Sequence, residues 1–369
     1  MRRHLHAAVS ALAGAIAATA IAADPAAFLL TGKRVYPSPD ERAIDDGALL
    51  LQGGKIAAVG ARKGISARGA ATREQCNGGF IAAGFQNSHV HFIGEPWKDS
   101  ARRPAADVSR AMADMLTRFG YTTVVDIASD RDNTLALRER VEKGEVAGPR
   151  ILTAGWALFP PGGLPIYLDH FPREFRERLP KPPSAEAAVQ VVRQNVAAGA
   201  DATKLFLATP QPRGRLARMP LEIARAAVEE SHARGKPVFA HPTDEDGVRE
   251  AMAAEVDILA HSTLGAKALW SEAFLREVIA SRIAIIPTLK LLGYELRKEG
   301  VPADISARLI DVSVDQVKAF KAAGGEVLFG TDVGYMTDFD PAEEYVLLAR
   351  AGLTPMQILA TLTTVPAAR

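Results

Sequence analysis

Six residues of types that bind metal ions, His89, His91, Lys204, His241, His261 and Asp332, each lie within or at the end of a short apolar run. His89 and His91 fall in IAAGFQNSHVHF, where a spacing of two places both imidazoles on one face of an extended strand. His241 closes PVFAHP, His261 closes DILAHS and Asp332 closes EVLFGTD, so the other ligand types also arrive at strand ends. Imidazole nitrogen and carboxylate oxygen suit a divalent ion such as zinc at about 2.0 to 2.2 Å. Such an ion polarises a carbonyl and lowers the pKa of its water from roughly 15.7 to about 7. The pattern therefore predicts hydrolytic chemistry at a metal centre.

Lys204, in the strand-like TKLFL, is the least expected member. If Ala202, Lys204 and Phe206 share an interior face, an ammonium would be a desolvated cation beside metal-binding groups. Addition of CO2 to the amine removes that conflict, because the resulting carbamate is an anion whose two oxygens can bridge two divalent metal ions. The alternative is a lysine directed outwards, with its stem on apolar surface and its ammonium in water.

Such ligands need a scaffold that brings many strand ends to one place. After Gly84 the chain alternates apolar runs with helical patterns. The runs are IAAGFQNSHVHF, YTTVVDIAS, RILTAGWAL, ATKLFLAT, PVFAHP, DILAHS, IAIIPTL and EVLFGTDVG. Between them, SRAMADMLTRFG, SAEAAVQVVRQNVAAG, PLEIARAAVEESHARG and SEAFLREVIASR repeat apolar residues at helical spacing. Eight such units predict an α/β fold, a (β/α)8 TIM-type barrel over residues 81–369, with its chemistry at the strand ends. Upstream, FLLTGKRVY and GALLLQGGKIAAVG are short strand patterns punctuated by turn residues, which predict a small N-terminal β-sandwich domain over residues 23–80.

The first 22 residues carry Arg2 and Arg3, a small-residue apolar stretch from Ala7 to Ala22 and an Ala20-Ile21-Ala22 cleavage pattern. They read as a signal peptide, which would remove His4 and His6 and export the enzyme, in a bacterium to the periplasm. A membrane anchor is the alternative, but the stretch is short and alanine-rich for a span, so no stable membrane insertion is expected once the leader is removed. One cysteine, Cys76, allows no internal disulfide and reads as a buried small hydrophobe. With 44 basic and 43 acidic residues and 48% hydrophobic content, the chain is globular and gives no indication of nucleic-acid binding. Its expected partner is a small-molecule substrate, and a homo-oligomer remains open.

The order HVH, Lys, His, His, Asp on eight strands resembles the amidohydrolase superfamily. Within it, ILTAGW, TKLFL, VFAHPTDEDG, ILAHST and FGTDVG are similar to the imidazolonepropionase-like and prolidase-like branch of metal-dependent hydrolases. The resemblance covers nearly all of the chain after the leader. It implies that His89, His91 and Asp332 hold one metal, that His241 and His261 hold the other, and that a carboxylated Lys204 bridges them. It further implies a metal-bound hydroxide as nucleophile and Asp332 as the group that moves the proton to the leaving nitrogen. The expected reaction is hydrolysis of an amide-type C–N bond in an N-acyl amino acid, a dipeptide or a cyclic amide.

Two rival readings remain. Some members of the superfamily use one metal as deaminases or cyclic-amide hydrolases, with a carboxylate three residues after the fifth-strand histidine, and Asp244 has that spacing from His241. A non-catalytic binding protein is the other, although no ligand is missing. The loop ATPQPRGRLARMP follows Lys204 where related dipeptidases often have a Ser-Gly-Gly segment. Arg213, Arg215 or Arg218 in it could clamp a substrate carboxylate, or all three could be solvated. Tyr167, His170 and Tyr335 are candidates to line or cover the pocket, and His232 reads as exposed. The family continues past TLTTVPAAR with strands that complete the sandwich, so a sandwich incomplete at the C-terminus is expected.

Overall fold

The computed structural model describes residues 27–65, 71–169 and 171–369, with the backbone alone for 71–78. The signal-peptide reading, His170 and the surroundings of the Cys76 side chain lie outside this description.

The chain divides into two compact units. The smaller contains β1 (Phe28–Val35), β2 (Ile44–Gln52), β3 (Lys55–Ala61) and β4 (Ala71–Ile81). Among the described residues these form one four-stranded sheet in the order β3-β2-β1-β4, not two facing sheets, with β1 antiparallel to β2 and parallel to β4. Gly53 and Gly54 join β2 to β3 with φ of 59° and 73°. Two consecutive left-handed residues make the turn that matches strand twist, and glycine adopts them without steric cost.

The larger unit is α/β. One parallel sheet has the order β5-β6-β7, formed by β5 (Phe85–Val90), β6 (Tyr121–Asp126) and β7 (Arg150–Thr153). Strand β8 (Thr203–Phe206) is followed by the antiparallel hairpin β9 (Ala208–Gln211) and β10 (Arg215–Arg218). A second parallel sheet joins β8 to β11 (Val238–His241), β12 (Ile258–Ala260) and β13 (Ala284–Ile286). These strands are buried on both faces, which explains their near-continuous apolar runs. One face contributes Val125, Ala202, Phe239, Ile258, Ala284 and Leu328 to a common cluster. The other packs beneath the helices.

Single bridges connect the two sheets. Leu158, beyond β7, donates its N–H to Lys204 O and accepts from Phe206 N. Ile285 of β13 pairs with Val327, and Val90 of β5 pairs with Val333. The eighth apolar run, EVLFGTDVG, thus meets both neighbours through isolated bridges and not a regular ladder. Asp332 and Gly334 have φ of 62° and 98°, and left-handed residues cannot continue a pleated strand.

The helices follow their sequence signals. Ser184 caps Ala185–Ala198 through Ala187 N and Gly199 ends it in the left-handed region. Ser271 caps Glu272–Ala280, and Thr354 with Gln357 forms a capping box on Pro355–Leu362. Each such cap contributes roughly 1 kcal/mol. Among the described residues no helix is long and apolar enough to cross a membrane.

Candidate metal and substrate site

The six predicted ligands line one cavity of about 190 Å³. His89 ends the buried face of β5, and His91 lies one residue beyond it; their rings are 5.2 Å apart at 75°. Lys204 points to the interior with Ala202 and Phe206, as alternation along the strand requires, and is 1% exposed. His241 ends β11, and His261 directly follows β12. The His89 and His261 rings are 4.7 Å apart and those of His241 and His261 are 4.8 Å apart, so four imidazoles form a continuous row.

Asp332 closes the group. Its Oδ1 lies 2.9 Å from His91 Nε2 and 3.5 Å from His89 Nε2, and its Oδ2 lies 3.6 Å from His261 Nε2. Despite the 2.9 Å approach, Oδ1 is buried without a hydrogen-bond partner. A buried carboxylate oxygen facing two imidazole nitrogens without donors is costly by itself, and a divalent cation would satisfy all three. The ligand atoms of His89, His91 and Asp332 lie within 4.8 Å of one another. The residues present therefore fit a metal ion at this end. His241 sits at the other end of the row, less buried than the rest, and its ring stacks on Phe206 at 5.0 Å.

Burial governs the electrostatics. Desolvation lowers His89 and His261 well below the ordinary histidine value and His241 to about 3, aided by their neighbours and Lys204. These imidazoles are neutral, the form that binds metals. Desolvation also lowers the Lys204 ammonium to about 7. An amine of which about half is neutral at pH 7 is competent to add to CO2.

Several supporting residues carried no signal in the sequence. Asn87, fully buried, donates Nδ2 to Thr331 Oγ1 at 2.7 Å, while its Oδ1 accepts from Thr331 N and His89 N at 3.2 Å each. It thus ties the run bearing Asp332 to the strand bearing His89. Thr288 Oγ1 donates to Pro287 O and lies 2.6 Å from His261 Nδ1, so it accepts the Nδ1 proton and leaves the Nε2 lone pair facing Asp332. Asp332, His261 and Thr288 all have positive φ, 62°, 84° and 45°, a local strain that packing must hold in place. A Cβ at Gly334 would come within 1.8 Å of His91 O, and one at Gly330 within 2.7 Å of His89 Cβ. Both glycines permit the close approach of the Asp332 run, and the sequence motif FGTDVG is their only visible trace.

The loop candidates separate cleanly. Tyr167 and Tyr335 line the cavity, with rings 5.8 Å apart. The arginines do not. Arg213 and Arg215 are exposed on the β9–β10 hairpin, and Arg218 is committed to Asp244 at 2.5 Å and Glu250 at 3.5 Å. The reading of a carboxylate clamp is therefore corrected: hairpin geometry turns these guanidinium groups away from the cavity. Asp244 is also absent from its lining. It caps the helix Glu245–Ala253 through Gly247 N and pairs with Arg218. His232 is exposed, as expected, and pairs with Asp257 at 2.8 Å.

The amidohydrolase family model matches residues 80–368. No curated protein sequence matches the chain. Among solved structures, a Xaa-Pro dipeptidase with methionine bound in its active site is similar at 18% identity and a TM-score of 0.72, over 93% of this chain and 88% of that one. Ochratoxinase from A. niger is similar at 18% identity and 0.70, over 92% and 83%. A prolidase complexed with N-methylphosphonate-L-proline is similar at 22% identity and 0.68, over 93% and 87%. At these identities the likeness bears on the fold alone.

Proposed function

This chain belongs to the amidohydrolase family and is a hydrolase acting on carbon–nitrogen bonds, and from that premise we propose a binuclear centre that cleaves an amide-type bond in a small molecule. His89, His91 and Asp332 would hold one divalent ion and His241 and His261 a second, with a carboxylated Lys204 between them, and the nitrogen and oxygen donors suit zinc. One observation carries the reading: four imidazoles, a carboxylate with an unsatisfied buried oxygen and an interior lysine converge on one cavity. The scaffold reading is that the seven parallel strands β5–β8 and β11–β13, with the run 326–333 as the eighth stave, close into a (β/α)8 barrel. An export leader over 1–22 and a periplasmic location complete the proposal.

When bound, the ions would act as Lewis acids toward the scissile carbonyl and supply an activated water. The chain's own groups do the remaining work. Thr288 fixes the tautomer and plane of His261, and Asn87 fixes the distance between the Asp332 run and β5. Asp332 accepts a proton from the attacking water and returns it to the leaving nitrogen, a role worth roughly 10²- to 10⁴-fold in rate. The aromatic wall around the cluster limits access of bulk water.

The test is elemental analysis of wild type and Lys204→Ala, purified without chelators and with bicarbonate present. The expected result is two metals per chain in wild type with a sharp fall in the variant. One metal in both proteins would overturn the bridged centre.

A further inference from the structure

We propose that the site selects an uncharged substrate bearing one compact aryl or branched alkyl group beside the scissile bond, and that Glu295 disfavours substrates with a free carboxylate. The proposal rests on the hydrolase reading above and narrows its substrate class.

The first observation is the wall. The segment between β7 and β8 packs Phe159, Leu168 and Phe175 into a small apolar cluster with Phe206, and all four line the cavity. Phe159 stacks on Phe206 at 4.5 Å and 16°, and Phe206 stacks on His241 at 5.0 Å and 24°. A ladder of flat rings thus runs up to the ligand row. Leu291 faces it from the helix Leu289–Lys298. The cavity holds about 190 Å³, and a dry cavity of roughly 150 Å³ accepts a benzene ring. One ring and the few atoms of the reacting group fill it.

The second observation is charge. Apart from Lys204, which belongs to the ligand group, none of the described residues lining the cavity is a lysine or arginine. The one anion outside the ligand group is Glu295, one helical turn from Leu291. Its Oε1 is buried without a hydrogen-bond partner, and Lys298 Nζ lies 3.5 Å from it at the outer edge. Tyr335, beside it, has its phenol pushed up by burial and by Glu295. A substrate carboxylate within about 6 Å of Glu295 would meet a like charge that Lys298 offsets only in part. At an effective dielectric near 20 this is a penalty of roughly tenfold or more.

The reaction is ordinary hydrolysis. For acetanilide, water oxygen bonds to the carbonyl carbon, the C–N bond breaks, the nitrogen leaves as aniline with one proton from that water, and the other proton passes to solvent as the acid ionises to acetate.

The test uses acetanilide and its analogue with a para-carboxylate on the ring, with the metal-loaded full chain, wild type and Glu295→Gln. Binding of the hydrolysis-resistant ketone pair, phenylacetone and its para-carboxylate, is measured by calorimetry in parallel. The neutral member should be preferred roughly tenfold or more in kcat/KM and in Kd, and Glu295→Gln should narrow both ratios. Equal or better use of the carboxylate by wild type, or ratios unmoved in Glu295→Gln, would overturn the assignment. If the ketones bind in the expected order while no anilide is cleaved, the pocket assignment stands and the hydrolase reading fails.

Discussion

Replacement of Asn87 by alanine tests whether the site is held by its neighbours or by its ligands alone. The side chain makes three contacts: Nδ2 to Thr331 Oγ1 at 2.7 Å, and Oδ1 from Thr331 N and His89 N at 3.2 Å. All are buried, with Asn87 at 0% and Thr331 at 1% exposure. A typical net hydrogen bond contributes about 1 kcal/mol, and a buried donor left without a partner costs roughly 1–3. Thr331 N also approaches His89 O at 3.4 Å, which recovers part of its loss. The expected destabilisation is therefore roughly 2–4 kcal/mol. Metal affinity should fall by about 10- to 100-fold, as for loss of a group that orients ligands. Thr331→Val removes the acceptor alone and should couple to Asn87→Ala by roughly 0.5–3 kcal/mol in a double-mutant cycle. Denaturant unfolding of the metal-free chain and a competitive chelator titration give the two quantities. A folded Asn87→Ala protein with wild-type metal affinity would refute the claim that this bridge sets the Asp332 position.

Four further outcomes are expected. Lys204 has its folded value lowered from 10.5 to about 7, so above pH 7 the unfolded chain binds more protons. In the metal-free, bicarbonate-free protein this group makes stability rise with pH from about 7 to 10.5, by up to roughly 1.4 kcal/mol per unit. Lys204→Met should flatten that rise in denaturant midpoints, whereas an unchanged slope would contradict the buried placement. His241 is lowered from 6.5 to about 3, and His89 and His261 are lowered too, so the same protein should lose stability as pH falls below 6.5, less steeply in His241→Ala. Gly334→Ala forces a left-handed alanine, costing about 1–3 kcal/mol before the contact with His91 O is counted. Metal binding should weaken with it, and a wild-type chelator titration would argue against the close approach. Asp244→Asn should keep the cap on Glu245–Ala253, since asparagine caps as well as aspartate, and weaken the Arg218 pair while leaving kcat within about twofold; a hundredfold loss would favour the single-metal reading.

The ligand types were legible in the sequence because strand alternation is local: two residues separate His89 from His91 and Lys204 from Ala202, and alternation alone puts each pair on one side. Apolar runs and caps such as Ser184 and Ser271 similarly announced most strands and helices. What remained hidden was the environment of those groups. The hairpin after Lys204 gave no sign that Arg218 is consumed by Asp244 and Glu250, because ion pairing depends on where two separate loops meet. Nor could spacing show that Asn87 and Thr331, 244 positions apart, share a hydrogen-bond pair, or that Thr288 orients His261. The sequence by itself determined which side chains could bind metal and on which strand face each stands, since backbone geometry repeats every two residues. Only the tertiary structure decided that they meet, how deeply they are buried and which charge lies beside them, since distance and desolvation arise from packing between segments remote along the chain.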